Sequence, residues 1–324
     1  MKLLALADDV TGALEVGALL QAPVLLDLET EPVDRSVIDT ETRHVNAQES
    51  ADRILNCIRN RQPELIYKKT DSTLRGNIGA ELAALANAYP ERQLIFLPAY
   101  PAMGRTVVKG ELLVHGVPVH LSDFASDPLN PVTKSTLATL FHPDVRVSIV
   151  DASTDDDIAR AIAVTLQIRP LPILAGPASV ARGIARHFGL DSSPQEQIRL
   201  SPRCLIVNGS LHPVAKEQVR RIRQGAGWVV MNFESKSETA QAFAVELAQA
   251  VRERLEQEFF ETLIVLGGDT TFALLTNLNA RVIHPIGEVA AGVPVSRVGP
   301  WQLVTKAGGF GDVDLLARLQ RAAT

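Results

Sequence analysis

Short apolar runs alternate with stretches of helical period from the beginning of the chain. Lys2 to Ala7 reads as a strand, Thr11 to Gln21 as a helix and Val24 to Leu28 as a second strand. Ala51, Ile54, Leu55 and Ile58 share one helical face, which predicts a helix over Gln48 to Arg59. Leu65 to Lys68 reads as a strand, Gly79 to Ala88 as a helix and Gln93 to Leu97 as a strand. Val145 to Val150 and Leu171 to Ala175 add strands, followed by helices from Asp155 and over Ala178 to His187. This alternation predicts an α/β protein, with a largely parallel sheet and helices on its faces.

The pattern breaks twice. From Pro98 to Pro131 prolines and glycines crowd together, with a short hairpin expected around LLVHGVPVH. A long loop of this kind beside regular strands points to function. Between Phe188 and Pro202 the polar stretch GLDSSPQEQIRLSP predicts a domain boundary, giving domains over 1–195 and 203–324. The second half restarts with a strand at Cys204 to Val207, a helix from Val214 to Arg223 and a strand at Trp228 to Asn232. A long helix is expected from Glu238 to Gln257, then strands at Thr262 to Leu266 and Gln302 to Lys306, and a helix from Asp312.

Composition narrows the class. The 324 residues are 46% hydrophobic and 21% charged, enough apolar material for buried cores. A net charge of -5 argues against a nucleic-acid partner, which would call for a basic stripe, and leaves anionic small molecules open. Cys57 and Cys204 lack metal-ligand spacing and read as buried thiols of a reducing compartment. The first residues, MKLLALADD, meet acid too early for a signal peptide, and no apolar run is long enough to cross a bilayer. The expectation is a cytoplasmic protein with no membrane partner.

Four polar clusters fall where a strand gives way to a helix, the position at which open α/β sheets bind ligands. In ADDVTGA, Asp8 or Asp9 suits an N-cap, which explains one carboxylate and not the pair. In YKKTDSTLRGNIGAEL, Lys68 and Lys69 leave the strand on opposite faces. Asp71 and Ser72 occupy the turn, and Arg75 enters the next helix. Lysine and arginine recognise carboxylates, and an aspartate can orient a hydroxyl, so a small polyhydroxy acid suits the set. For any single residue, a solvated helix cap is the simpler account.

The other two clusters lie in the second half. VNGSLHP sets Gly209 and Ser210 before a helix opened by Pro213, an arrangement that favours phosphate. His212 in that loop reads as structural. VLGGDTTFALL repeats the scheme with Gly267, Gly268, Asp269 and Thr270, and KAGGFGDVDLL adds the turn at Gly308 and Gly309. Neither matches a Walker loop or G-x-G-x-x-G. Three glycine turns at the strand ends of one small domain together suggest a nucleotide cradle, against three ordinary tight turns. Asp312 and Asp314 suit the first turn of the last helix.

These motifs in this order resemble the four-carbon acid sugar kinases. The likeness is carried by ADDVTGA, the Arg43 of DTETRHV, KKTDSTLRGNIGAEL, PAYPAMGRTVVKGELLVHGVPV with DPLNPV, VNGSLHPV, GGDTTFALL and KAGGFGDVDLL. It implies a sugar-acid domain followed by a nucleotide domain, with a cleft between them. The implied reaction is ATP-dependent phosphorylation of the terminal hydroxyl of threonate, erythronate or 3-oxo-tetronate. By the same resemblance, substrate contacts fall on Asp8 or Asp9, Arg43, Lys69, Thr70, Asp71, Ser72 and Arg75. Nucleotide contacts fall on Ser210, Gly267, Gly268, Asp269, Thr270, Gly308 and Gly309. Asp8, Asp9 and Asp71 are all candidates to orient the hydroxyl and take its proton. Mg²⁺ is expected on the phosphates rather than in a protein cage. The chain looks shorter than is usual in the family, and its last loop reads GGFG where GNFG is common.

A dinucleotide dehydrogenase is disfavoured, because the carboxylates of ADDVTGA would repel a pyrophosphate. A non-catalytic sugar-acid sensor built on the same scaffold is the alternative reading. A homodimer is the default assembly.

Overall fold

The computed structural model describes residues 2–323 except 28, 29, 31, 32, 60, 128, 191–197, 224, 226 and 234–239. The chain divides into two compact units, Met1–Ser193 and Pro194–Thr324.

In the first unit the elements are, in order, β1 (Leu3–Ala7), α1 (Val10–Leu20), β2 (Val24–Leu25), β3 (Arg35–Asp39), α2 (Ala47–Ile58), β4 (Leu65–Lys69), α3 (Ile78–Ala88) and β5 (Leu94–Phe96). They continue with β6 (Arg105–Val108), β7 (Glu111–Val114), β8 (Val117–Pro118), β9 (Val147–Ile149), α4 (Asp155–Thr165), β10 (Ile173–Gly176) and α5 (Ala178–His187). The apolar runs of β1, β4, β5 and β10 become strands buried on both faces, as parallel sheets require, while β9 is a part-exposed edge strand. The main sheet runs β2-β3-β1-β4-β10-β5-β9, with every pairing parallel. Helix α1 packs on α5 and α5 on α4, while α2 packs on α3.

The register matters for the site. Ala7 stands level with both Asp39 and Lys69, and Lys69 with Gly176. The carboxy ends of β3, β1, β4 and β10 therefore form one rim, and the residues that follow them become neighbours.

The segment rich in proline and glycine forms the antiparallel sheet β6-β7-β8, which contains the expected hairpin. Strand β3 is the element that hydrophobic patterning does not reveal. Its sequence RSVID carries polar residues at positions that pairing on both sides buries, including Ser36 and Asp39.

The second unit holds β11 (Cys204–Asn208), α6 (Pro213–Arg220), β12 (Trp228–Asn232), α7 (Ala240–Gln257), β13 (Thr262–Leu266) and α8 (Gly268–Asn277). It closes with β14 (Val282–Ala290), β15 (Val293–Val298), β16 (Trp301–Lys306) and α9 (Leu315–Ala323). Strands β12-β11-β13-β16 are parallel, and β15 and β14 extend the sheet antiparallel. That antiparallel pair is not visible in the sequence pattern. Cys204, Ile206, Trp228, Ile264, Leu266, Val304 and Leu316 build the core.

Asn208, Leu266 and Lys306 stand level, so three strand ends again form a rim. The last helix begins at Leu315 rather than at Asp312. The Asp312 carboxylate accepts the Asp314 N–H at 2.9 Å, a turn that holds the backbone out of the helix until Leu315. The expected start of α7 at Glu238 and residues 191–197 of the expected linker lie outside the described residues.

Candidate functional site

Along the rim of the first unit, five charged side chains from three strand ends meet. Asp9 is the N-cap of α1 and accepts the Gly12 N–H at 3.2 Å, with the Thr11 hydroxyl also donating to it. The same carboxylate accepts from Arg43 Nη2 at 2.7 Å and from Lys69 Nζ at 2.9 Å. Asp8 receives Arg43 Nε at 2.7 Å and Lys69 Nζ at 3.2 Å. Asp71 lies 3.7 Å from Arg43 Nη2 and is gripped by Arg75 through Nε at 3.0 Å and Nη2 at 2.8 Å. Asp9 therefore caps the helix and pairs with two cations at once.

All five side chains are buried, with Asp8 3%, Asp71 5%, Lys69 6%, Asp9 8% and Arg43 9% exposed. Burial opposes every one of these charges. Arg43 and Lys69 outweigh it at Asp8 and Asp9, and Arg75 and Arg43 outweigh it at Asp71, holding all three carboxyls below the usual range. Lys69 and Arg43 are in turn held above their ordinary values by Asp8 and Asp9. With Arg75 included, three carboxylates face three cations and the cluster is balanced. Such groups accept hydrogen bonds well and take protons poorly.

Gly12 serves this cluster rather than a ligand. A β-carbon there would collide with Nζ and Cε of Lys69. Lys68, on the opposite face of β4 as its position dictates, pairs with Glu81 of α3 at 3.1 Å, and both are almost fully buried. Thr70 follows β4 with its N–H on the Gly176 carbonyl at 3.0 Å. Its hydroxyl is buried with no partner among the described residues, while Ser72 is half-buried.

Several neighbours lie in or beside the quoted motifs, but the motifs give them no role. Arg75 Nη1 reaches Asp127 at 3.2 Å, and its guanidinium lies 5.4 Å above the Phe124 ring. The guanidinium of Arg105 approaches the same ring at 5.7 Å. All three come from the segment rich in proline and glycine, which packs against Arg75, the residue that holds Asp71. Glu41, beside Arg43, accepts the Val10 N–H at 3.0 Å. Burial and the nearby Asp9 charge push its carboxyl up to about 7, and burial with Glu41 raises Asp39 as well. The acid letters of DTETR are visible in the sequence, but their mutual burial is not.

The three glycine turns of the second unit also converge. A β-carbon at Gly209 would overlap the Thr270 hydroxyl, and one at Gly308 would overlap the Ser210 hydroxyl. Gly309 lies against the His212 ring, 3.0 Å from its Nε2 for a β-carbon built there. Gly267 has φ 111°, which other residues rarely adopt, and its carbonyl accepts the Thr271 hydroxyl at 2.8 Å. Gly268 and Asp269 open α8, with Asp269 exposed in its first turn. His212 N-caps α6 through Nδ1 at 3.2 Å from the Val214 N–H, the structural part expected of it. Beside Ser210 a cavity of about 530 Å³ is lined by Asn208, Leu211, Lys216, Val230, Asn232 and Phe233. Lys306, at the end of β16, is buried beneath the last glycine turn and has no counterpart among the residues expected from motifs.

No cluster of three metal-ligating side chains occurs among the described residues. No helix among them is long and apolar enough to cross a membrane.

Comparison with known proteins adds two domain matches. Residues 3–148 match a family model described as a sugar-binding N-terminal domain, and residues 230–316 match a nucleotide-binding C-terminal domain. The chain is 27% identical to a D-threonate kinase of Salmonella typhimurium, covering 96% of each chain. It is 26% identical to a 3-oxo-tetronate kinase of the same organism, covering 99% of each. The first alignment runs over 410 positions against 324 residues here, so the relative carries insertions. Among solved structures, a Salmonella typhimurium LT2 protein described as a tRNA synthase superposes with a TM-score of 0.76. It is 24% identical and covers 98% of each chain, a likeness that shows the fold alone.

Proposed function

The chain belongs to the four-carbon acid sugar kinase family, and from that premise we propose that it transfers the γ-phosphoryl group of ATP to the terminal hydroxyl of a four-carbon sugar acid of the threonate, erythronate or 3-oxo-tetronate type. The observation that carries this reading is the buried cluster of Asp8, Asp9, Arg43, Lys69 and Asp71, charge-balanced by Arg75, on a rim of parallel strand ends. Both cations already sit among carboxylates there, so an acidic substrate adds to their contacts without stripping either of partners.

Lys69 uses two of its three ammonium protons on Asp8 and Asp9, and the Nη1 group of Arg43 has no acceptor among the described residues. These remaining donors take the substrate carboxylate. Thr70 and Ser72 supply hydroxyls to the polyol. Asp71, fixed by Arg75, or one of Asp8 and Asp9 accepts the hydrogen bond of the attacking hydroxyl and aims its lone pair. Phosphoryl transfer depends mainly on such positioning and on neutralising spread charge, so an ionised orienting carboxylate suffices: the new P–O bond forms as the bond to ADP breaks, and the hydroxyl proton is released to solvent.

The triphosphate lies against Ser210, Gly267, Gly268, Thr270, Gly308 and Gly309, with Asp269 at its edge. Base and ribose enter the cavity beside Ser210, whose size suits a nucleoside. A Mg²⁺ ion would neutralise phosphate charge and take most of its ligands from phosphate oxygens and water. ATP supply places the reaction in the cytoplasm, and a homodimer is the assembly to test first.

A coupled ADP-release screen across the stereoisomers of threonate, erythronate and 3-oxo-tetronate tests the reading. Turnover with at least one is expected. A folded chain that shifts its melting temperature with Mg-ATP yet turns over none of them refutes the substrate class. A chain that binds a sugar acid and shows no Mg-ATP shift is the sensor instead.

A further inference from the structure

The ammonium of Lys306 donates to three carbonyls of the turn that follows it, Ala307 at 2.8 Å, Gly308 at 3.1 Å and Phe310 at 2.9 Å. The side chain is 1% exposed, and burial alone pulls it down to about 7. No charged side chain among those described counters that effect, so the three carbonyls are what favour its charged form. A buried cation held only by backbone is an expensive feature for a simple surface turn.

The geometry of the peptide bond gives it a use. In a trans peptide the carbonyl of one residue and the N–H of the next point in opposite directions. Carbonyls of Ala307, Gly308 and Phe310 drawn inward onto Nζ therefore send the N–H groups of Gly308, Gly309 and Gly311 the other way. None of these three amides has an acceptor among the described residues. The glycines make the turn passable, since Gly311 has φ 74° and Gly308 has no room for a β-carbon beside Ser210. Successive amides aimed to one side form a concavity that binds anions. Gln218 reinforces the frame, donating from Nε2 to the Phe310 and Asp312 carbonyls at 3.1 and 2.7 Å.

We propose that Lys306 is the positioning residue of an anion-binding turn: it does not touch the ligand, and by gathering three carbonyls beneath the turn it aims the Gly308, Gly309 and Gly311 amides at a polyphosphate. The inference rests on the reading of the second unit as the nucleotide site.

Its test compares wild type with Lys306→Met, using ATP, inorganic tripolyphosphate and adenosine as separate probes in calorimetry. Tripolyphosphate and ATP should each bind at least about tenfold more weakly to the variant, a change of roughly 1.4 kcal/mol or more. Adenosine affinity and the KM for the sugar acid should stay within about twofold. A folded Lys306→Met that keeps wild-type affinity for ATP and tripolyphosphate overturns the inference and leaves the nucleotide reading standing. Wild type that binds neither probe overturns both. Hydrogen exchange on the unaltered protein supplies an independent check should the variant fail to fold. Tripolyphosphate should slow exchange in the segment 307–311, and bound tripolyphosphate without that protection counts against the proposal.

Discussion

The ammonium of Lys69 crosses α1 at Gly12, in space that any β-carbon at position 12 would occupy. A glycine inside a helix ordinarily costs about 1 kcal/mol relative to alanine. Here the missing side chain admits the cation that bridges Asp8 and Asp9. Gly12→Ala should therefore reverse the usual sign, lowering stability by about 2 kcal/mol through overpacking against a buried ion. Thermal melts read this directly. The KM for the sugar acid should rise and that for ATP should not, because the groups displaced, Lys69 and the Asp9 carboxylate, both belong to the first-unit cluster.

The two units carry separable tasks on the proposed reading. Asp71→Asn keeps the shape of the turn and removes the charge that Arg75 grips through Nε and Nη2. Turnover should fall by at least about a hundredfold, as for loss of a positioned group, while ATP affinity stays near wild type. Asp269→Ala, in the exposed first turn of α8, should instead raise the KM for ATP and spare sugar-acid binding. Equal loss of ATP binding in both variants contradicts this division of labour.

Lys68 and Glu81 offer a control for the neighbouring lysine. Their pair is buried at 3.1 Å on the face of β4 away from Lys69. Lys68→Met leaves the Glu81 carboxylate uncompensated and should cost about 3–5 kcal/mol. Pairing it with Glu81→Leu should restore most of that stability, measured by urea titration, with kinetic constants close to wild type. A double variant that folds and is inactive would assign Lys68 to the reaction.

Glu41 links stability to pH. Its carboxyl is raised from 4.5 to about 7 in the folded protein, first by burial and then by the Asp9 charge. The folded state therefore holds a proton that the unfolded chain releases near pH 4.5. Stability from this group is lost as pH rises through that interval. Glu41→Gln keeps an oxygen for the Val10 N–H and removes the ionisation. It should be near neutral at pH 4.5 and stabilising by about 1–3 kcal/mol at pH 8. A melting-temperature difference that does not grow between these pH values contradicts the assignment.

The sequence alone determined the order of parallel strands and helices, because buried parallel strands are continuous apolar runs and their helices repeat at their own period. It also located the polar and glycine-bearing turns, since Asp8, Asp9, Lys69, Asp71, Ser210 and Gly267 fall at or just past strand ends. Strand β3 escaped, as did the antiparallel pair β14 and β15, because burial by neighbours on both sides does not depend on a strand's own polarity pattern. Tertiary structure alone decided which charges meet. Arg43 lies 34 residues from Asp9 and 28 from Asp71, and only the level register of β3, β1 and β4 brings them together. The same holds for Glu41 and Lys306, whose ionisation follows from burial and, at Glu41, from the nearby Asp9 charge, quantities that no linear spacing encodes.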